Sequence, residues 1–157
     1  MEEAEKLQMI DFPISDLITE AASSFQSPAR TRNLCMTLDV QPMLSLCGNE
    51  KSIRHLVSLL NNAVKYADNG GSIRLTHEKQ NKAIVLTVEN SVAEIAQDTV
   101  RNMLDRFYRG DPSRNSAVKG YGIGLSIAKA IVNAHKGIII AKAPDGHSLK
   151  ITAIFPQ

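Results

Sequence analysis

Apolar positions recur at helical spacing in three stretches of the chain. In SDLITEAASSFQ (15–26), Leu17, Ile18, Ala21, Ala22 and Phe25 share one face, and Ser15 is placed to cap its start. In GNEKSIRHLVSLLNNAVKYADNGG, residues Ile53, Leu56, Val57, Leu60, Ala63, Val64 and Ala67 recur at i, i+3, i+4 and i+7. That spacing predicts one amphipathic helix over 50–67, capped by Asn49 and stopped by the polar and glycine residues of 68–71. The third stretch, 123–135, is apolar nearly all round, with Ser126, Lys129, Asn133 and Lys136 on one wettable stripe. Short strands are expected around 36–40 and 44–47, with Pro42 between them. SIRLTHE and KAIVLTVEN alternate and meet at QNK, which reads as a β-hairpin. Two last strands, 137–143 and 149–155, flank a turn at 144–146. A short helix over 98–105 and a loop over 109–121, rich in Gly, Pro, Ser and Asn, complete the order. Helices, strands, helix, strands predict an α/β (α+β) fold, a two-layer sandwich with a mixed sheet covered on one face.

The polar side of the 50–67 helix carries the first chemistry. Ser58, Asn62, Lys65 and Tyr66 fall on one stripe opposite the apolar face. A solvated helix face accounts for such a stripe. So does a ligand: an amide oxygen suits Mg²⁺, which takes oxygen donors and shares them with substrate phosphates, and a neighbouring ammonium can meet a phosphate.

The second is KGYGIGLSIAKA (119–130), with Gly120, Gly122 and Gly124 just where the apolar helix begins. Three spaced glycines lower helix propensity, and a turn needs fewer. Without Cβ atoms, backbone N–H groups at a helix start can approach an anion that the helix dipole also favours. A dinucleotide fingerprint is excluded, because the pattern is GxGxG after a long loop and not GxGxxG after a strand. A Walker loop is excluded because no Gly-Lys-Ser/Thr follows. The residues leave a phosphate site of another design, or a plain loop ending in a helix.

Composition narrows the rest. The 157 residues suit one domain with a core, and 43% hydrophobic with 22% charged residues is ordinary for a globular protein. A net charge of +2, no basic run, 4% aromatics and no Trp argue against nucleic acid as a partner. Cys35 and Cys47 have no CxxC spacing, and the histidines (His55, His77, His135, His147) are scattered, so a zinc site is not expected and a reducing cytosol is. No apolar run approaches the roughly 20 residues of a membrane span. The charged, helix-prone MEEAEKLQM reads as the end of a longer helix, and the chain as a fragment of a larger protein.

At this point several motifs together resemble a known family. LVSLLNNAVKYA is similar to the N box of histidine-kinase ATP-binding domains, LDRFYRGDPSRNS to their F box and the opening of the ATP lid, and GYGIGLSIAKAIVNAHKG to their second glycine box. FPISDLITEA and LSLCGNEKSIRHLV match the family's upstream segments, and DGHSLKITAIFP its closing strand. The resemblance implies a Bergerat-type fold, as in gyrase-type ATPases and Hsp90-type chaperones, over 11–157, with 1–10 the end of a linker or dimerisation helix. It implies ATP and Mg²⁺ as cofactors. Asn62 would hold the metal, and Lys65 and Tyr66 would reach the phosphates. Phe107 and Tyr108 would set the lid's position. Gly120, Tyr121, Gly122, Ile123, Gly124 and Leu125 would form its hinge and the phosphate cradle. Arg109, with Arg106, Arg114 and Lys119, would supply cations to the γ-phosphate; a solvated basic loop is the plain alternative for these four.

The resemblance also implies a reaction. Hydrolytic relatives carry a general-base Glu four residues before the metal-binding Asn, and here that position is Ser58. Phosphoryl transfer to a histidine fits better, since imidazole is itself nucleophilic. The expectation is a protein-histidine kinase of a two-component system. Its acceptor histidine lies on a separate dimerisation domain, a response regulator follows, and the fragment by itself is monomeric and does not autophosphorylate. The domain would be cytoplasmic, in a protein anchored in a bacterial membrane. A degenerate nucleotide-binding or partner-docking module is the alternative.

One motif departs. The family has an Asp and then Gly-x-Gly in the turn beneath adenine, whereas TVENSVAEI places Asn90 at the Asp, with Val92 and Glu94 at the glycines and Ile95 after them. An amide oxygen still accepts a hydrogen bond from the adenine amino group, without a carboxylate's charge. The difference is about 1 kcal/mol, or roughly fivefold to tenfold in affinity. Val92 resists positive φ, so the turn must take another path.

Overall fold

The computed structural model describes residues 8–93, 95, 100 and 116–156, the side chains of Tyr66 and of 116–124 excepted. Seven strands and five helices are described: β1 (Ile10–Phe12), α1 (Ile14–Ser23), α2 (Gln26–Thr31), β2 (Cys35–Val40), β3 (Leu46–Gly48), α3 (Glu50–Val57), α4 (Leu59–Tyr66), β4 (Ser72–Gln80), β5 (Ala83–Ser91), α5 (Ser116–Ala134), β6 (Ile138–Lys142) and β7 (Ser148–Pro156). The main sheet runs β2-β4-β5-β7-β6, with β2 parallel to β4 and the other pairs antiparallel. It is the mixed sheet covered on one face that the element order predicts.

Alternation along the strands makes that face. Ile84, Leu86, Val88 and Asn90 of β5 point to the helices, as do Ile73, Leu75 and His77 of β4 and Leu149, Ile151, Ala153 and Phe155 of β7. Opposite them stand Ile14 and Ile18 of α1, Ile53 and Leu56 of α3, Leu60 of α4 and Leu125 of α5, each 1% exposed or less. The β4–β5 hairpin turns at Asn81-Lys82 in register Gln80↔Ala83, as QNK predicts.

Several local expectations are corrected. The strands expected around 36–40 and 44–47 both form, in two sheets: β2 joins β4, and β3 pairs with β1. Ser15 does not cap α1. Its hydroxyl donates to Gln41 O (2.6 Å) and accepts from Leu44 N (2.9 Å), while Pro13 opens the helix. That helix ends at Ser23, and a second, α2, follows with Ala29 buried.

The helix expected over 50–67 is two helices. At Ser58 the ladder tightens to i→i+3 bonds, Ser58 N–H to His55 O (2.9 Å) and Asn61 N–H to Ser58 O (2.8 Å). Leu56, Val57, Leu59 and Leu60 are all buried around this exposed serine, a wide arc for one straight helix, and the tightening brings each to the core. Asn49 does cap α3, accepting from Ser52 N (2.9 Å). α5 begins at Ser116, inside the expected loop, so Gly120, Gly122 and Gly124 lie within the helix. The packed half, with Leu125, Ala128 and Val132 buried, supplies the nucleus from which helical hydrogen bonds propagate back through residues that would not start a helix.

His135 ties the end of α5 to the start of α3. Its Nδ1–H donates to Ile131 O (2.8 Å), so Nε2 is the acceptor for Asn49 N–H (3.0 Å). The ring meets Phe155 edge-on at 5.8 Å, and a Cβ at position 48 would stand 2.8 Å from it, which is why Gly48 is there. No helix among the described residues is long and apolar enough to cross a membrane.

Candidate functional site

A cleft opens where α4, the β5–β7 part of the sheet and α5 meet. Its lining is Leu59, Asn62 and Ala63 from α4, Val88 and Asn90 from β5, Leu125 from α5, and Leu149 and Ile151 from β7. The fold thus brings together three residues named from the sequence, Asn62, Asn90 and Leu125, out of three distant segments. Asn62 is partly exposed, one turn before the end of α4. Asn90 is 3% exposed, held by alternation on the core face of β5. Its Nδ2 donates to Ser91 O (3.1 Å), which fixes the orientation of the amide. The cleft is nearly shut: about 10 Å³ inside it is open to water, about the least that holds one molecule.

The other expected residues are placed as follows. Lys65 is exposed on α4, beyond the cleft lining. Ser58, exposed at the α3–α4 junction, is not brought to the cleft. Ile95 stands at the end of the divergent turn, half-buried. Arg106, Phe107, Tyr108, Arg109, Arg114, Glu94 and the helix expected over 98–105, save Val100, lie outside the described residues, as do the side chains of Tyr66, Lys119, Tyr121 and Ile123.

The departure at 90–95 has a visible solution. Neither Val92 nor Ala93 has positive φ. The segment instead stays against the β6–β7 turn, through Val92 N–H to His147 O and Ile95 N–H to Gly146 O, both 2.9 Å. Gly146 takes φ +77°, a conformation that costs glycine little.

Sequence reasoning missed Arg32. Its guanidinium closes the C-terminus of α4, donating to the carbonyls of Val64, Lys65 (3.0 Å) and Ala67 (2.9 Å) and to Asn69 Oδ1 (3.1 Å). A cation there satisfies orphan carbonyls and complements the helix dipole, and so holds the helix that carries Asn62. No local pattern announces it, because Arg32 lies far from 64–69 in the chain. Leu59, Ala63, Val88, Leu149 and Ile151 were also missed as cleft residues, since to the sequence they are ordinary core positions.

The sequence model of the histidine kinase-, DNA gyrase B- and HSP90-like ATPases matches residues 48–157, most of the chain. The chain belongs to this ATPase family. Among curated relatives, the signal transduction histidine-protein kinase BaeS of Escherichia coli (strain K12) is 31% identical over 141 residues, covering 89% of this chain and 30% of its own length. The sensor histidine kinase CusS of Escherichia coli O6:H1 is 40% identical over 144 residues, 91% of this chain and 30% of its own length. The chain therefore spans about 30% of the length of these relatives. The nucleotide-free catalytic domain of histidine kinase ThkA shares the fold, with TM-score 0.80, 21% identity and 96% of each chain covered. A structure of ThkA in complex with response regulator protein TrrA matches with TM-score 0.75 and 20% identity over 94% of this chain and 41% of that one. The family's name is that of an ATPase, and two amides, Asn62 and Asn90, stand among the apolar walls of the cleft.

Proposed function

We propose that this chain is the ATP-binding catalytic domain of a sensor histidine kinase, working on a histidine of a dimerisation domain in the same protein and upstream of a response regulator. The observation that carries the reading is the meeting of Asn62, Asn90 and Leu125 in one apolar cleft. Asn90 Oδ1 would accept from the adenine amino group, with Leu59, Val88, Leu125, Leu149 and Ile151 around the ring. Asn62 Oδ1 suits Mg²⁺, which when bound would screen the phosphates' charge. Lys65 and Tyr66 follow on α4 to meet the phosphates, and Arg109 with its neighbouring cations would act on the γ-phosphate.

The narrow cleft must widen to take a purine. The half of α5 that holds Gly120, Gly122 and Gly124 is suited to that. Each glycine weakens a helix by about 1 kcal/mol relative to alanine, so these turns can unwind and free their N–H groups for phosphate. Ser58 stands where a hydrolytic relative's general-base Glu would, which favours transfer to a histidine over attack by water. The domain spans 11–157 and would work on the cytoplasmic side of a membrane-anchored protein. As a fragment it is a monomer that binds ATP and does not phosphorylate itself.

The test is calorimetric titration of Mg·ATP, with and without Mg²⁺, into the chain and into Asn62→Ala. Magnesium-dependent binding that the variant loses supports the kinase domain. The closed cleft and the Asn90–Ile95 departures favour a second reading, a module that docks partners without turnover, and the absence of heat at millimolar ATP would select it.

A further inference from the structure

The segment that departs from the family is held by a template on the neighbouring hairpin. In the β6–β7 turn, Asp145 Oδ1 accepts from His147 N (2.9 Å) and from Ser148 Oγ (3.1 Å). The backbone bond from His147, then the Ser148 hydroxyl, hold the Asp145 carboxyl below its ordinary range. With Gly146 at positive φ, the turn is set before it meets anything else. It then meets 92–95 at three points. Two are the backbone bonds from Val92 and Ile95. The third is a side chain: His147 Nδ1 lies 2.7 Å from Ala93 O, and since a carbonyl only accepts, Nδ1 carries the proton and donates. Where the glycine turn is lost, these bonds hold Val92, Ala93 and Ile95 relative to Asn90, two residues before Val92 and in the wall of the cleft.

We propose that His147 is a positioning residue for nucleotide binding, its Nδ1–H holding Ala93 and so fixing the backbone that leads on from Asn90 in the cleft wall. The inference rests on the nucleotide-binding reading above. His147 is exposed, and its ring's described hydrogen bond goes to Ala93, so its effect would pass through Ala93. The imidazole donates from Nδ1 whether neutral in this tautomer or protonated, so the role does not depend on the charge of the ring.

The experiment compares His147→Ala and His147→Asn with the unaltered chain, reading Mg·ATP affinity by calorimetry and the thermal midpoint without nucleotide. The Asn side chain places an N–H donor near the position of Nδ1. The expected result is a loss of about fivefold in affinity for His147→Ala, the worth of one neutral hydrogen bond, with affinity restored in His147→Asn and both midpoints within about 2 °C of the original, as for surface substitutions. Unchanged affinity in His147→Ala overturns the inference and leaves the nucleotide reading standing. Equal losses in both variants, or losses that track a fall in midpoint, overturn it in favour of a merely structural contact. Failure of the unaltered chain to bind Mg·ATP overturns both.

Discussion

Two buried polar side chains stand on the helix-facing side of the central hairpin, one near each end. Asn90, on β5, is 3% exposed, has a partner for its amide nitrogen and faces the cleft. His77, on β4 opposite Leu86, is 1% exposed, and neither ring nitrogen has a hydrogen-bond partner. Burial of a polar group is costly at both places. At the cleft end the group is oriented by the backbone and lines the cleft. At the closed end it is held by packing alone, and desolvation lowers its pKa from 6.5 to about 4. Burial by itself therefore does not distinguish the two; the hydrogen bond and the cleft do.

The widest separation of the two ends is in their response to pH. The folded protein keeps His77 neutral down to about pH 4, while the unfolded chain takes up a proton near 6.5. The contribution is fully present above 6.5 and is lost progressively as pH falls toward 4. Its full size is about 3 kcal/mol, at roughly 1.4 kcal/mol for each pH unit that separates the folded and unfolded values. Urea unfolding at several pH values should show that slope, and His77→Leu should flatten it while leaving Mg·ATP affinity unchanged. An equally steep slope in the variant would assign acid sensitivity to other groups.

At the cleft end, Asn62→Ala should lower Mg·ATP affinity on the order of a hundredfold, the upper range for losing even an outer partner of a bound metal. Its thermal midpoint should stay within a few degrees. A collapse of the midpoint would mean that Asn62 is structural.

Arg32→Gln should destabilise the domain by about 1 to 2 kcal/mol, because it strips charged donors from the carbonyls at the end of α4. Denaturant titration reads this directly. Arg32 holds the cleft wall from outside, so its variant tests how far the two ends share one framework.

The smallest effect sharpens the contrast most. Asn90→Asp should tighten Mg·ATP by roughly fivefold to tenfold, by making the adenine hydrogen bond charge-assisted, and should lower the stability of the nucleotide-free protein as a carboxylate enters a buried position. Tighter binding with lower stability is the signature of a functional group; His77→Leu should give higher stability at neutral pH with no change in binding.

Much of this was legible in the residues, and the limits are physical. The core faces of α1, α3, α4 and α5, the β4–β5 hairpin and its turn, and the last two strands all follow from periodicity and turn chemistry, which act between residues a few positions apart. The N-box and glycine-box segments were legible through their resemblance to the family's motifs. Tertiary structure alone placed β2 beside β4 and β3 beside β1. It turned the Ser15 hydroxyl from a cap into a tether, broke the helix at Ser58, and extended α5 back through its glycines. It alone brought Asn62 and Asn90 to one cleft, closed α4 with Arg32 and set His147 under Ala93. The strand pairings, the Ser15 tether, the cleft and the Arg32 and His147 contacts each depend on a partner tens of residues away, and no local propensity encodes which distant group a hydroxyl, a guanidinium or an imidazole will meet once the apolar faces have packed.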